Sequence, residues 1–238
     1  MMNPALNATL NQQLMSGAAM GQQGMMAEAQ GNAMMAAQLY EQAIGWIQQS
    51  MGTAQQWGVF IPHGVHAALA HAHACAGRAK TALGQPPGAW PHWQQALFEL
   101  NQALAQCPQF APYHAAAGTV LMSMGNLQDA WRAFMNAQQL QPGEPMSQQM
   151  LSMMQNMMPP AMQAMPAMPA MPGWGTPQPP MSPSGGNWWS GGAASGGSGA
   201  ASADQHPDWM KTVSNACSML DQVFKTVGGF QDMMGRFE

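Results

Sequence analysis

Charge is what this chain lacks most. Six Lys and Arg and ten Asp and Glu are all that 238 residues carry, 7% of the chain, against about 25% in an ordinary soluble domain. So few basic residues cannot form the stripe that neutralises a phosphate backbone, which excludes nucleic acid as a partner. The same shortage argues against a polybasic contact with an anionic membrane. The first basic residue is Arg78, so the opening stretch lacks the positive charge that a secretory or transit signal carries near its start. No run of about 18 apolar residues is present to span a bilayer. Cysteine is scarce too. Cys75, Cys107 and Cys217 are odd in number and far apart, the pattern of reduced thiols rather than of a disulfide framework. These absences together point to a cytoplasmic protein.

Catalytic signatures are also missing. There is no glycine loop ahead of a Lys-Ser/Thr pair, no His-Glu-x-x-His and no Gly-x-Ser-x-Gly, and ten acids leave few candidates for general acid or base. The expectation is a protein that is not an enzyme and needs no cofactor.

What the chain has in excess is Met, with 27 residues, and Gly and Pro, with 26 and 19. Their distribution divides it in three. Residues 1–158 are rich in Ala, Gln, Met and Leu and read as helical. Residues 159–203 hold no charge and are dominated by Met, Pro, Gly and Ser. Met162, Met165, Met168 and Met171 recur every third residue there, mostly beside Pro, which is a polyproline II pattern. A Gly/Ser stretch with Trp188 and Trp189 follows, so this segment reads as a disordered linker. In 204–238, Trp209, Val213, Ala216, Cys217, Leu220, Phe224 and Val227 fall at helical spacing and predict an amphipathic helix over 207–227.

The first segment repeats itself. Ala96, Leu100, Ala103 and Pro108, each advanced by 34 residues, become Ala130, Phe134, Ala137 and Pro142. Earlier, Ala36, Tyr40 and Ala43 carry the first three of these, with Gln48 where the Pro would stand. Each set follows a glycine turn. Gly31 and Gly125 are turn glycines, and seven residues before them stand Gly24 and Gly118. Small residues let two antiparallel helices approach, a bulky one fills the gap, the turn glycine reverses the chain, and the Pro ends the second helix. The middle copy places Gly77 on its first helix, about 64–83, and Gly84 at its turn. About seven extra residues within QPPGAWPHW are expected to swell that turn. Residues 4–15 and 145–158 are expected to cap the two ends.

On these residues the chain resembles the tetratricopeptide repeat family. The match is close over 111–144, with Gly118, Leu121, Gly125, Ala130, Phe134, Ala137 and Pro142, although His114 stands where the family prefers Trp. The resemblance implies an all-α fold, a short helical solenoid of about three helix-turn-helix repeats. It also implies a concave groove lined by the first helices, drawn in the last copy from His114, Ala115, Gly118, Thr119 and Met122. A groove that clamps acidic tails would need Lys, Arg and Asn there. This one offers Met, Ala and His and would suit an apolar or amphipathic segment.

Two clusters suggest metal. His63, His66, His71, His73 and Cys75 crowd into 13 residues, but on a helix they give two separate pairs, His71 with Cys75 and His66 with His73, rather than one set of three or four ligands. The Met repeats have the softness that selects Cu(I), although Met is also a flexible contact residue for varied protein surfaces. A copper- or zinc-binding protein and a secretion or assembly chaperone are therefore alternatives. The preferred expectation is an adaptor or scaffold. Its own segment, through Trp209, Val213, Leu220 and Phe224, would dock in the groove or self-associate, reached by a linker of roughly 45 residues that spans on the order of 35 Å.

Overall fold

A glycine that can take positive φ reverses a helix at little cost, and a side-chain oxygen just beyond it starts the next one. The computed structural model describes residues 4–143 and 145–157, and Gly31, Gly84 and Gly125 make such turns between helices, with the side-chain cap present at two of them. Gly31, Gly84 and Gly125 have φ of 75°, 70° and 79°. In each turn the residue after the glycine donates its backbone N–H five residues back: Asn32 to Ala27 O, Gln85 to Lys80 O and Asn126 to Leu121 O, all at 2.9 Å. That is the Schellman closure of a helix end. Asn32 and Asn126 then cap the following helix, their side chains accepting from Met35 N and Asp129 N. Gln85 does not cap; Pro86 supplies a fixed φ instead.

The described residues are helical, with no strand among them. The elements are α1 (Pro4–Ala29), α2 (Ala33–Gln56), α3 (His63–Ala82), α4 (Pro86–Gln106), α5 (Ala111–Ser123), α6 (Leu127–Leu140) and α7 (Pro145–Met157). Each packs chiefly against its neighbours in the chain. The glycine turns make three hairpins, α1–α2, α3–α4 and α5–α6.

One contact locks each hairpin. A Cβ placed on Gly24 would lie 2.7 Å from the Tyr40 ring, one on Gly77 2.9 Å from the Trp93 ring, and one on Gly118 2.8 Å from the Phe134 ring. The glycine and its aromatic are sixteen residues apart in every hairpin, and the aromatic follows the turn glycine by nine. All three aromatics are buried, flanked by Ala36 and Ala43, Ala89 and Ala96, and Ala130 and Ala137. Burying each ring is worth about 1.5–3 kcal/mol.

This corrects the middle repeat. Its aromatic is Trp93, between Ala89 and Ala96, not Leu100 between Ala96 and Ala103, and no residues are inserted in its turn. Residues 86–92 are helical and lengthen α4 at its start. Leu100 and Ala103 form a second buried layer one heptad further along. Helix length follows where proline stands. Pro142 stops α6 after Leu140 and Pro108 stops α4 after Gln106, while Gln48 lets α2 run on to Gln56. The N-terminal end is also simpler than expected. Residues 4–15 are no separate cap but the first half of α1, whose Gly17 meets Ile47 as a second close approach.

Two apolar clusters meet at α3. One joins α1, α2 and α3 through Leu14, Tyr40, Ile44, Leu69 and Ala76. The other joins α3 to α7 through Ala70, Trp93, Leu100, Phe134 and Met150. Helix α3 is buried on opposite sides, and half of it is Ala and Gly, small residues that let helices close in from both directions.

Candidate interaction surface

Every histidine of α3 finds a partner, and the partners lie in different directions. His63 Nδ1 is 2.7 Å from the Tyr113 hydroxyl of α5. His66 Nδ1 is 2.7 Å from Glu99 Oε2 of α4, whose other oxygen accepts from Gln95 Nε2. His71 Nε2 contacts Cys75 Sγ at 3.5 Å within α3. His73 Nδ1 meets His92 Nδ1 of α4 at 3.1 Å. The crowding that suggests a metal thus comes apart in three dimensions, and among the described residues no group of three His, Cys, Asp or Glu could hold an ion.

The charged residues behave the same way. The described residues include seven: Glu28, Glu41, Arg78, Lys80, Glu99, Asp129 and Arg132. Arg78 of α3 donates from Nε and Nη2 to the two carboxylate oxygens of Glu28 on α1, both at 2.6 Å. The Tyr40 hydroxyl of α2 donates to the same carboxylate at 2.9 Å, and burial raises the Tyr40 phenol well above its usual range. Lys80 pairs with Glu41 at 2.7 Å and Arg132 with Asp129 at 3.1 Å, and Glu99 holds His66. All seven are engaged with other side chains of the chain. Four of these contacts join one helix to another, two within a hairpin and two, Arg78–Glu28 and Lys80–Glu41, between the first hairpin and the second.

What faces solvent is Gln, Asn, Ser, Ala and a set of large apolar side chains. Phe60 and Trp57, in the α2–α3 loop, are 71% and 66% exposed, and Trp46, Trp90 and Phe98 are also exposed. Met15, Met26, Met34 and Met35 add flexible apolar contacts on α1 and α2. Sequence spacing did not single out Trp57 and Phe60. Their signal was a Trp and a Phe bracketing Gly58-Val59 between two helices.

The residues assigned to a groove lie elsewhere. His114, Ala115, Gly118, Thr119 and Met122 are together on α5, but eleven of the thirteen residues of that helix are buried. His114 Nε2 is 2.8 Å from Pro108 O, Gly118 sits under Phe134, and Thr119 lies against Met146 of α7 at 4.0 Å. Helix α7 buries Met146, Met150, Leu151 and Met154 and exposes Gln148, Gln149 and Ser152. It therefore closes this end of the apolar core with a polar outer face.

Trp209, Val213, Leu220 and Phe224, the linker 159–203 and Trp188 and Trp189 lie outside the described residues. No helix of the described residues is long and apolar enough to cross a membrane. No protein-family model, curated protein or solved structure matches this chain.

Proposed function

We propose that this chain is a protein-interaction adaptor or scaffold, built as a short helical solenoid of the tetratricopeptide type, that takes an apolar or amphipathic segment of a protein. One observation carries this reading: the described charges are engaged internally while Trp57, Phe60, Trp90 and Phe98 are left exposed. Exposed aromatic side chains give large apolar contact areas, Met adds adaptable ones, and apolar surface of this kind is what a partner segment can bury. The three glycine-turn hairpins support the solenoid reading. The contact surface is placed on these exposed residues rather than on α5, whose candidate groove residues are buried.

The segment best matched to an uncharged surface is the chain's own 204–238, docking in cis or on a second copy through Trp209, Val213, Leu220 and Phe224. Light scattering on the whole protein and on a variant ending at residue 203 tests this. The truncated protein is expected to change oligomeric mass, or to bind an added 204–238 peptide. Its affinity should vary by no more than about twofold between low and high salt, because screening acts on charge pairs. Unchanged mass together with no peptide binding sinks the reading. A steep salt dependence would place the contact on charges instead.

A further inference from the structure

The contact between His73 and His92 is unusual in being made by two identical groups. Both Nδ1 atoms, 3.1 Å apart, occupy one hydrogen bond, so one must carry a proton and the other must not. The rings are 5.4 Å apart and tilted by 45°. His73 is 7% exposed, and its Nε2 finds no hydrogen-bond partner among the described residues. His92 turns its Nε2 toward Glu41 Oε1 of α2, 4.0 Å away, and Glu41 also takes Lys80 of α3. The pair therefore stands where α2, α3 and α4 meet, between the two apolar clusters. It also neighbours the lock of its hairpin. His73 is one helical turn from Gly77, and His92 adjoins Trp93, whose ring covers Gly77.

We propose that His73 and His92 form an acid-sensitive latch, which holds the α3–α4 hairpin closed while the pair keeps one Nδ1 free of a proton and releases it when both rings are protonated. The first added proton is tolerated. It sits on His92, which then donates from Nδ1 to His73 and directs Nε2–H toward Glu41. The second is not, because it places two N–H donors and two positive charges face to face in a buried gap. The groups acting on the pair agree with this order. Burial and the neighbouring imidazole push His73 down from 6.5 to about 4. Burial first, then Lys80, lowers His92, while Glu41 acts to raise it. A native state that binds these protons more weakly than the unfolded chain keeps this stability in full above about pH 6.5. It loses it as the pH falls from there toward about 4. The outcome of release is separation of Trp93 from Gly77, which bares the apolar interior between α3 and α4.

The test is an NMR titration of the full-length protein from about pH 8 to about pH 2.5. It follows the imidazole signals of His73 and His92 and the indole N–H of Trp93. The expected result is two coupled steps. The first belongs to His92 and leaves Trp93 in place, and the second coincides with loss of the folded Trp93 signal. In His92→Gln, whose amide still donates to His73 but takes no proton, that loss moves down by about one pH unit or more. Two independent titrations with Trp93 unmoved, or loss of Trp93 at one pH in both proteins, would overturn the latch. If His92→Gln does not fold, the wild-type titration decides alone, because an uncoupled pair refutes the latch without any variant.

Discussion

Replacing Phe134 by Ala is expected to remove about 3–5 kcal/mol of stability, measured as a shift of the denaturant midpoint at constant slope. The ring is fully buried and covers Gly118, which has no side chain to move into the space. Its other neighbours, Ala130, Ala133 and Ala137, are too small to collapse into the cavity. The loss is large beside a whole-domain stability of about 5–15 kcal/mol. It also falls on the hairpin with the two shortest helices of the three. The reverse change, Gly118→Ala, is expected to cost less. Overpacking is worth about 1–3 kcal/mol, and the gain in helix propensity on leaving glycine returns about 1 kcal/mol of that.

The second large effect belongs to Arg78→Ala, also about 3 kcal/mol or more in the same assay. Arg78 is buried, and its two hydrogen bonds tie α3 to α1 across fifty residues of sequence. Without it the Glu28 carboxylate, about one quarter exposed, keeps only the Tyr40 hydroxyl in that environment. The contrast is Lys80→Ala. The Lys80–Glu41 pair is nearly half exposed on the acid side, and its loss is worth about 1 kcal/mol or less. Both variants remove one positive charge from a chain that has six Lys and Arg. A difference between them therefore reads burial and geometry, not net charge.

The hairpins were legible in the sequence because each is a local device. Gly24, Gly31 and Tyr40, like Gly118, Gly125 and Phe134, lie within one turn and its flanking helices, and small and bulky residues at helical spacing mark the packed face. The middle hairpin was misread for a physical reason. On α4 the pattern of Ala, a bulky residue and Ala occurs twice in succession, as Ala89, Trp93 and Ala96 and again as Ala96, Leu100 and Ala103, one heptad apart. The three prolines of QPPGAWPHW also read as a loop. Two of them, Pro86 and Pro87, sit in the first turn of α4, where a missing N–H leaves no helical bond unmade. Glycine spacing separates the two registers, since only Trp93 stands sixteen residues beyond Gly77.

The candidate groove was not legible. Whether Thr119 and Met122 face solvent depends on α7, which lies beyond the turn after α6, and spacing within α5 carries no sign of it. Pairing was hidden in the same way. Arg78 finds Glu28 only once separate hairpins come together, and His66 finds Glu99 only once α4 folds back on α3. In the sequence, scarce charge speaks only to excluded partners, whereas in the fold most of the described charges serve to join helices.

A glycine under an aromatic ring is the lock of each hairpin, and a double-mutant cycle on the last one tests this most directly. Unfolding free energies would be measured for the wild type, Gly118→Ala, Phe134→Leu and the two combined. If the added methyl and the ring compete for one space, shrinking the ring relieves the methyl. The double variant is then less destabilised than the two single ones added together, by about 1 kcal/mol or more. Additivity within about 0.3 kcal/mol would mean that Gly118 and Phe134 act separately, and would contradict the lock.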